Sequence, residues 1–267
     1  MSIYQDFEER VIALPAAEKT KFVTLPKILR DWTEGYGGLK GKRVLDFGCG
    51  EGTSAAGIAL FHDAIVHGTD INNEADACAG FLQTNFGLDV PNTLTFQEIA
   101  PGGEIRGDNY DCIFSWSVFE HVHNRIYDDV LSDLYYRLKP GGLFFMQISP
   151  LYFAPEGSHL WAIGYYQWEH LIHQYSDVRA DLQRSDLDDS TKAGLTNMFD
   201  TLNRVTADDV IARFTAVGFE LIRQKRDHVD HEPPEALLRA YSRDALITYQ
   251  IAALFRRPER IDERHET

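Results

Sequence analysis

The hydrophobic pattern changes period along the chain. Leu25, Ile28, Leu29 and Trp32 recur at i, i+3, i+4 and i+7, which predicts a helix with one apolar face inside a polar, helical segment over residues 1–40. Gly35, Gly37, Gly38 and Gly41 end that pattern. Strand and helix signals then alternate. Arg43–Phe47 is a short apolar run ending at a glycine, and 55–61 reads as helix. Residues 64–68 read as a strand leading to Asp70, and 74–86 as a helix stopped by Gly87. Strands follow at 93–98 and 111–116. Tyr127, Val130, Leu131, Leu134, Tyr135 and Leu138 return to helical spacing until Pro140-Gly141-Gly142. Residues 143–148 are apolar but for Gln147, as in a central strand covered on both faces. This alternation implies an α/β fold with a parallel sheet flanked by helices.

The rhythm breaks from 150 to 204. Seven rings fall within residues 151–175: Tyr152, Phe153, Trp161, Tyr165, Tyr166, Trp168 and Tyr175. Residues 177–200 are charged and helical in character. A new helix starts at Thr206-Ala207-Asp208-Asp209, where Thr206 is a cap and the acids suit the first turn. Val210, Ile211, Phe214 and Val217 form its buried face, Gly218 stops it, and 219–222 and 245–255 read as two closing strands. A stretch as long as 150–204 inside a compact domain is usually functional or disordered. It is expected to be a lid or substrate-shaping insertion within a single domain over 1–267. Its rings suit either a satellite core or the wall of an acceptor pocket, with Tyr165, Tyr166 and Trp168 as candidate substrate contacts.

Composition narrows the function. Lys plus Arg is 26 and Asp plus Glu is 41 among 267 residues, so the formal charge is 26 − 41 = −15. That balance argues against nucleic acid, whose phosphates need a basic footprint, and against an anionic membrane surface. The N-terminal sequence lacks a basic-then-apolar leader, and no run is long enough to span a bilayer. Three cysteines without a CxxC point to a reducing, cytoplasmic setting.

The most specific local signal is Val44-Leu45-Asp46-Phe47-Gly48-Cys49-Gly50-Glu51-Gly52. A strand, a glycine-rich turn and a helix start bring backbone amides to a ligand. A dinucleotide fingerprint would read GxGxxG, but here the glycines read GxGxG and position 53 is Thr. Asp46 and Glu51 would repel a pyrophosphate and attract an ammonium. Asp70 ends the next strand, 24 residues after Asp46, where an acid can accept both hydroxyls of a ribose. Ammonium plus ribose describes S-adenosylmethionine better than a dinucleotide.

These residues resemble the class I S-adenosylmethionine-dependent methyltransferases, nearest the small-molecule, type 11-like group. The resemblance runs from Val44–Gly52 through Gly68–Asn72, Tyr110–Ser115, Val118–Val122 and Leu138–Gly142, and by element order over 205–256. It implies a Rossmann-like sheet of about seven strands, all parallel but the last, with the helical, aromatic insertion after the fifth. It also implies that Asp46 and the backbone of Gly48 and Gly50 hold the methionine amino end. Asp70 would take the ribose, Ile71 would cover the adenine, and Glu98 and Ile99 would read its edge. Glu98 stands where the family has Asp, so a solvated loop acid is the alternative there. Ser115 would line the methionine.

A hydroxyl acceptor needs a base near the operating pH, and His is the usual one. Ten histidines are present; His159 in the insertion ranks first and His121 after the fourth strand second. Each has the alternative of being a hydrogen-bonded packing residue. His170 and His173 with His159 would make a possible metal set, and Glu120-His121 resembles the end of an ExxEH stretch of some ubiquinone-biosynthesis O-methyltransferases. Ser117 replaces its first Glu, and no metal is assigned. The function expected is methyl transfer to a small organic acceptor, more at oxygen than carbon. A nicotinamide-dependent oxidoreductase, a non-catalytic S-adenosylmethionine-binding protein and a protein methyltransferase are the rivals.

Overall fold

Val44, Leu45, Asp46 and Phe47 are all buried in β1 (Arg43–Phe47), as a strand covered on both faces requires. The computed structural model describes residues 3–72 and 75–259. Around β1 run β2 (Ile65–Asp70), β3 (Leu94–Glu98), β4 (Tyr110–Trp116), β5 (Leu138–Ile148), β6 (Glu220–His228) and β7 (Thr248–Arg256). They form one seven-stranded sheet in the order β3-β2-β1-β4-β5-β7-β6. β1 lies parallel to β2 and β4, and β2 parallel to β3. β7 runs antiparallel to β5. Gly141 N donates to Arg257 O and Arg257 N to Gly142 O, while Leu151 N donates to Tyr249 O, so one chain ascends as the other descends. The mixed sheet matches the expected architecture.

Two compact units divide the chain. One comprises residues as far as Trp116, Asp133–Phe145, and the chain from Leu254 on; the other comprises Ser117–Ser132 and Met146–Ala253. In the first, the helix Leu25–Thr33 buries Leu25, Leu29 and Trp32, and the Trp32 ring meets Phe145 edge-on at 5.1 Å. In the second, the insertion builds a core of its own. Tyr152, Leu160, Tyr165, Val178, Leu182, Phe199 and Leu202 cluster there, on the helices Tyr175–Arg184 and Asp189–Thr201 and the chain before and after them. No strand occurs between residues 149 and 204. Thr206 and Asp209 form a reciprocal capping box at the start of Ala207–Val217, and Gly218 closes that helix at φ 114°.

Three boundaries differ from expectation. β5 begins at Leu138, because the Gly141 N–H and Gly142 carbonyl pair with Arg257 instead of breaking the chain. β6 extends to His228; it is an edge strand, and its mostly exposed, charged positions hide its second half from a hydrophobicity pattern. β7 is preceded by a short helix, Arg243–Ile247, capped by Ser242. The predicted helix over 74–86 is seen as Ala75–Phe86, and its predicted first residue, Glu74, lies outside the described residues.

Gly57 lies inside the helix Thr53–His62, where Ala would favour the helix by about 1 kcal/mol. A Cβ there would run into the Phe22 carbonyl oxygen of the π-helical turn Thr20–Thr24 and stand 2.7 Å from Pro26 Cγ. A backbone oxygen cannot swing aside, and overpacking costs about 1–3 kcal/mol. Gly57→Ala is therefore expected to lower the melting temperature, at about 2–4 °C per kcal/mol for a chain of this size. A raised melting temperature would show that helix propensity wins.

Candidate functional site

The turn after β1 is tied to the end of β2 by its own backbone. The Thr69 carbonyl accepts from Gly48 N at 2.8 Å and Cys49 N at 3.0 Å, and Asp70 Oδ2 accepts from Gly50 N at 2.8 Å. Gly48, Gly50 and Gly52 adopt φ of 76°, 50° and 71°, the left-handed region in which glycine carries no penalty. At Gly52 sterics add a second reason, since a Cβ would sit 2.5 Å from the Phe96 ring. A Cβ at Gly50 would meet nothing within 4 Å, so the turn has open space on its ligand side. Glu51 is exposed and ion-paired to Lys21 at 2.8 Å.

Asp70 Oδ1 also accepts from Asn72 N at 3.1 Å. A carboxylate has about four lone-pair sites, so two acceptor positions are left for a diol. Asp46 is different: it is 2% exposed, and its Oδ2 has no partner. Burial, and then the charge of Asp70, push its pKa up to about 8. An ammonium beside Asp46 would supply the missing partner and favour the ionised carboxylate. The same surroundings push the Cys49 thiol well up, so it stays protonated and is no nucleophile at neutral pH.

The raised pKa of Asp46 has a sign that can be measured. Between the ordinary value of 3.8 and about 8 the folded chain holds a proton that the unfolded chain has lost. That stabilisation is whole below 3.8 and is lost as pH rises through 8. A cationic ligand that ionises Asp46 must then expel this proton. At pH 7, binding of S-adenosylhomocysteine is expected to release close to one proton, read from calorimetry in buffers of different ionisation heat. Asp46→Asn is expected to remove the release; a release that persists in that variant would clear Asp46.

Glu98 stands beside Asp70 in the β2–β3 register and is exposed. Ile99 is buried, and its N–H donates to the Asp70 carbonyl at 2.8 Å. Ile71 is 58% exposed, which leaves its side chain open to a planar ligand. Ser115, in β4, is fully buried with its Oγ unpartnered. Thr69 Oγ1 is likewise buried and unpartnered, and sequence reasoning passed over Thr69 both here and as the carbonyl anchor of the turn.

In the second unit the His121 and His159 rings meet edge-to-face, 5.1 Å between centroids. His159 has φ 59°, and its Nε2 lies 3.3 Å from the Pro150 carbonyl. Burial pulls both histidines down, His121 to about 4. Both are neutral at pH 7, as a base must be, and Nε2–H donation to Pro150 leaves the His159 Nδ1 lone pair available. Between Phe119 and His121 in the chain lies Glu120, which the sequence offered only as part of an incomplete ExxEH stretch. It is 3% exposed, both its oxygens lack a hydrogen-bond partner, and burial raises its pKa to about 8. Its signal in the sequence is slight, an acid directly after Val118-Phe119. No group of three or more metal-ligating side chains is found among the described residues.

Trp168 and Tyr165, two of the three candidate substrate contacts, are 2% and 6% exposed. Trp168 Nε1 donates to the carbonyls of Phe153 and Leu246, both at 3.1 Å, and its ring clusters with Leu237 and Leu246. The Tyr165 hydroxyl donates to Asp181 at 2.7 Å. Tyr166, by contrast, is 51% exposed. His170 Nε2 is 2.6 Å from the Tyr152 carbonyl, which makes it a donor inside the core.

The strand order, the glycine turn and the two carboxylates at adjoining strand ends define a nucleoside-binding α/β protein of methyltransferase type. The chain matches the methyltransferase domain family over residues 24–224 and belongs to it. It is 31% identical over 131 residues to the ubiquinone biosynthesis O-methyltransferase of Azoarcus sp. (strain BH72), covering 49% of this chain and 54% of that protein. The chain spans about half the length of the curated relatives it matches. Its fold is similar to that of the 1,6-didemethyltoxoflavin-N1-methyltransferase of Burkholderia thailandensis, with TM-score 0.53, 15% identity, and coverage of 96% of this chain and 85% of that one. It is similar also to the cyclase SpnF, with TM-score 0.55, 14% identity, and coverage of 88% and 80%. At such identities the likeness concerns the fold.

Proposed function

We propose that the protein transfers a methyl group from S-adenosylmethionine to an oxygen of a small organic acceptor. The observation that carries this reading is the pair of carboxylates at neighbouring strand ends. Asp46 is buried with an unpartnered oxygen, and Asp70 keeps lone pairs to spare while it holds Gly50. In this reading Asp46 and the backbone of Gly48 and Gly50 take the ammonium end. Asp70 takes the ribose hydroxyls, Ile71 lies on the adenine, Glu98 and Ile99 read its edge, and Ser115 Oγ meets the methionine. The similar B. thailandensis structure holds S-adenosylhomocysteine, which supports the cofactor. The O-methyltransferase name of the Azoarcus relative supports oxygen as the acceptor atom.

The cofactor, when bound, supplies a methyl already activated on a sulfonium. The chain's task is to orient it and exclude water, an effect worth up to about 7–11 kcal/mol. A hydroxyl acceptor must also lose a proton, and neutral His159 is the base, with His121 beside it as the second choice. Tyr166 is the most exposed ring of the insertion and the one assigned to the acceptor, and 150–204 forms the acceptor-shaping part of a single methyltransferase domain. The −15 charge favours a small acceptor over nucleic acid. No helix among the described residues is long and apolar enough to cross a membrane. Three free cysteines suit the cytoplasm.

The test is transfer of labelled methyl from S-adenosylmethionine to a panel of phenols and carboxylic acids. Label in base-stable ethers is the expected result. Label in base-labile esters would move the acceptor to a carboxylate and remove the need for His159. Binding of S-adenosylhomocysteine with no turnover on any acceptor would favour a non-catalytic protein, and transfer to basic peptides that fades steeply with salt a protein methyltransferase.

A further inference from the structure

The parallel register sets Arg43 beside Ile65, and His67 beside Thr95, so these side chains share one face of the sheet. The connection between β3 and β4 contains no helix, and its residues Arg106 and Gly107 wall that face in part. The result is a cavity of about 320 Å³ lined by Arg43, Ile65, His67, Gln97, Arg106 and Tyr110 among others. Neither Arg43 nor Arg106 forms an ion pair among the described residues. The Arg43 guanidinium lies 5.7 Å from the Tyr110 ring centre and reaches the Asp108 carbonyl only at 3.5 Å. Arg106 bonds through its backbone N–H to Gln97 Oε1 at 2.8 Å, which leaves its guanidinium uncommitted.

Three acids around the cavity are engaged elsewhere. Asp111 accepts from the Arg43 backbone N–H and from Lys139, both at 2.8 Å. Asp133 holds Arg137 at 2.6 Å, Arg137 also donates to the Gly107 carbonyl, and Asp108 takes the Asn109 amide. The Tyr110 hydroxyl donates to the Arg106 carbonyl at 2.9 Å, so His67 Nδ1, 2.6 Å from that oxygen, is the donor of the second bond. Burial, and the charges of Arg43, Arg106 and Arg137, hold His67 neutral. In a chain of charge −15, two unpaired guanidiniums beside a half-buried neutral imidazole are a local reversal of sign.

We propose that this cavity binds a small organic oxyanion, a carboxylate or a phosphate ester, between the Arg43 and Arg106 guanidiniums, with its apolar body against Ile65. Guanidinium forks match both oxyanions bidentately. Ile65 is 48% exposed and offers an apolar wall. Arg43, Ile65 and Tyr110 are the first residues of β1, β2 and β4, whereas the glycine turn follows the last residue of β1. The oxyanion and the nucleoside cofactor thus occupy opposite strand ends and bind together.

Titration of the full chain with benzoate and with inorganic phosphate, at low ionic strength and with His67 ring resonances as the reporter, tests this. Saturable shifts are expected with at least one probe, with a rise in the His67 titration midpoint as the anion favours imidazolium. Stronger benzoate binding assigns a carboxylate, stronger phosphate binding a phosphate ester. Arg106→Gln, on an exposed loop, and independently Arg43→Gln, should each weaken binding at least tenfold and leave S-adenosylhomocysteine affinity within twofold. No saturable shift with either probe, shifts matched by potassium chloride at equal ionic strength, or wild-type affinity in both variants would overturn the proposal.

Discussion

Asp70→Ala is expected to weaken binding of S-adenosylhomocysteine about 100-fold while the melting temperature falls by only a few degrees. Hydrogen bonds to a charged group contribute about 1.5–3 kcal/mol each, and a ribose offers two hydroxyls to one carboxylate. Even one such bond at the upper end, about 3 kcal/mol, corresponds to more than 100-fold in affinity. The substitution also frees Gly50 N, which Asp70 Oδ2 holds at 2.8 Å, so the turn loses an anchor that shapes it for the ligand. The Thr69 carbonyl still binds Gly48 N and Cys49 N, which is why the fold should survive. Asp70→Asn separates the two effects, because it keeps an acceptor for Gly50 and loses the charge. An affinity unchanged in Asp70→Ala would remove Asp70 from the ribose role.

His159→Ala is expected to lower turnover on a hydroxyl acceptor by about 10²–10⁴, the usual contribution of a general base, with cofactor affinity kept within twofold. Burial lowers the pKa of His159, so it is in its basic form throughout the neutral range. The wild-type rate should therefore fall only on acidification below the ordinary histidine value of 6.5. The variant should lose that limb of the pH profile. His121 has its pKa at about 4 and is the weaker base of the pair, so His121→Ala should cost less. Wild-type turnover in His159→Ala would return His159 to the packing role that its bond to Pro150 also allows.

The parts of this protein legible in its sequence are those whose chemistry is local. A glycine that must hold positive φ, a Thr-x-x-Asp cap and a strand ending in an acid are written within a few residues, so the turn at Gly48–Gly52 and the helix at Ala207–Val217 stand out at once. The sheet followed from the rhythm of β1 to β5, four of which are inner strands that stay largely apolar because both faces are covered. The start of β6 was read at 219–222, but its continuation to His228 escaped because an edge strand keeps its charges, and Pro140-Gly141-Gly142 read as a stop because its partner, Arg257, is more than a hundred residues away. The aromatic insertion was the least legible. A ring's role depends on what lies across from it, and nothing in the sequence says that Trp168 is clamped by two distant carbonyls while Tyr166, two residues earlier, is open. Glu120 was overlooked for the same reason, since its burial is a tertiary fact.

The proposed function stands on the glycine turn with Asp46 and Asp70 as the seat of S-adenosylmethionine. Parallel calorimetric titrations of the purified chain with S-adenosylhomocysteine and with NADH test it most directly. One saturable site for S-adenosylhomocysteine, with a proton released at pH 7, and no heat of binding with NADH are expected. Tight binding of NADH with none of S-adenosylhomocysteine would contradict it.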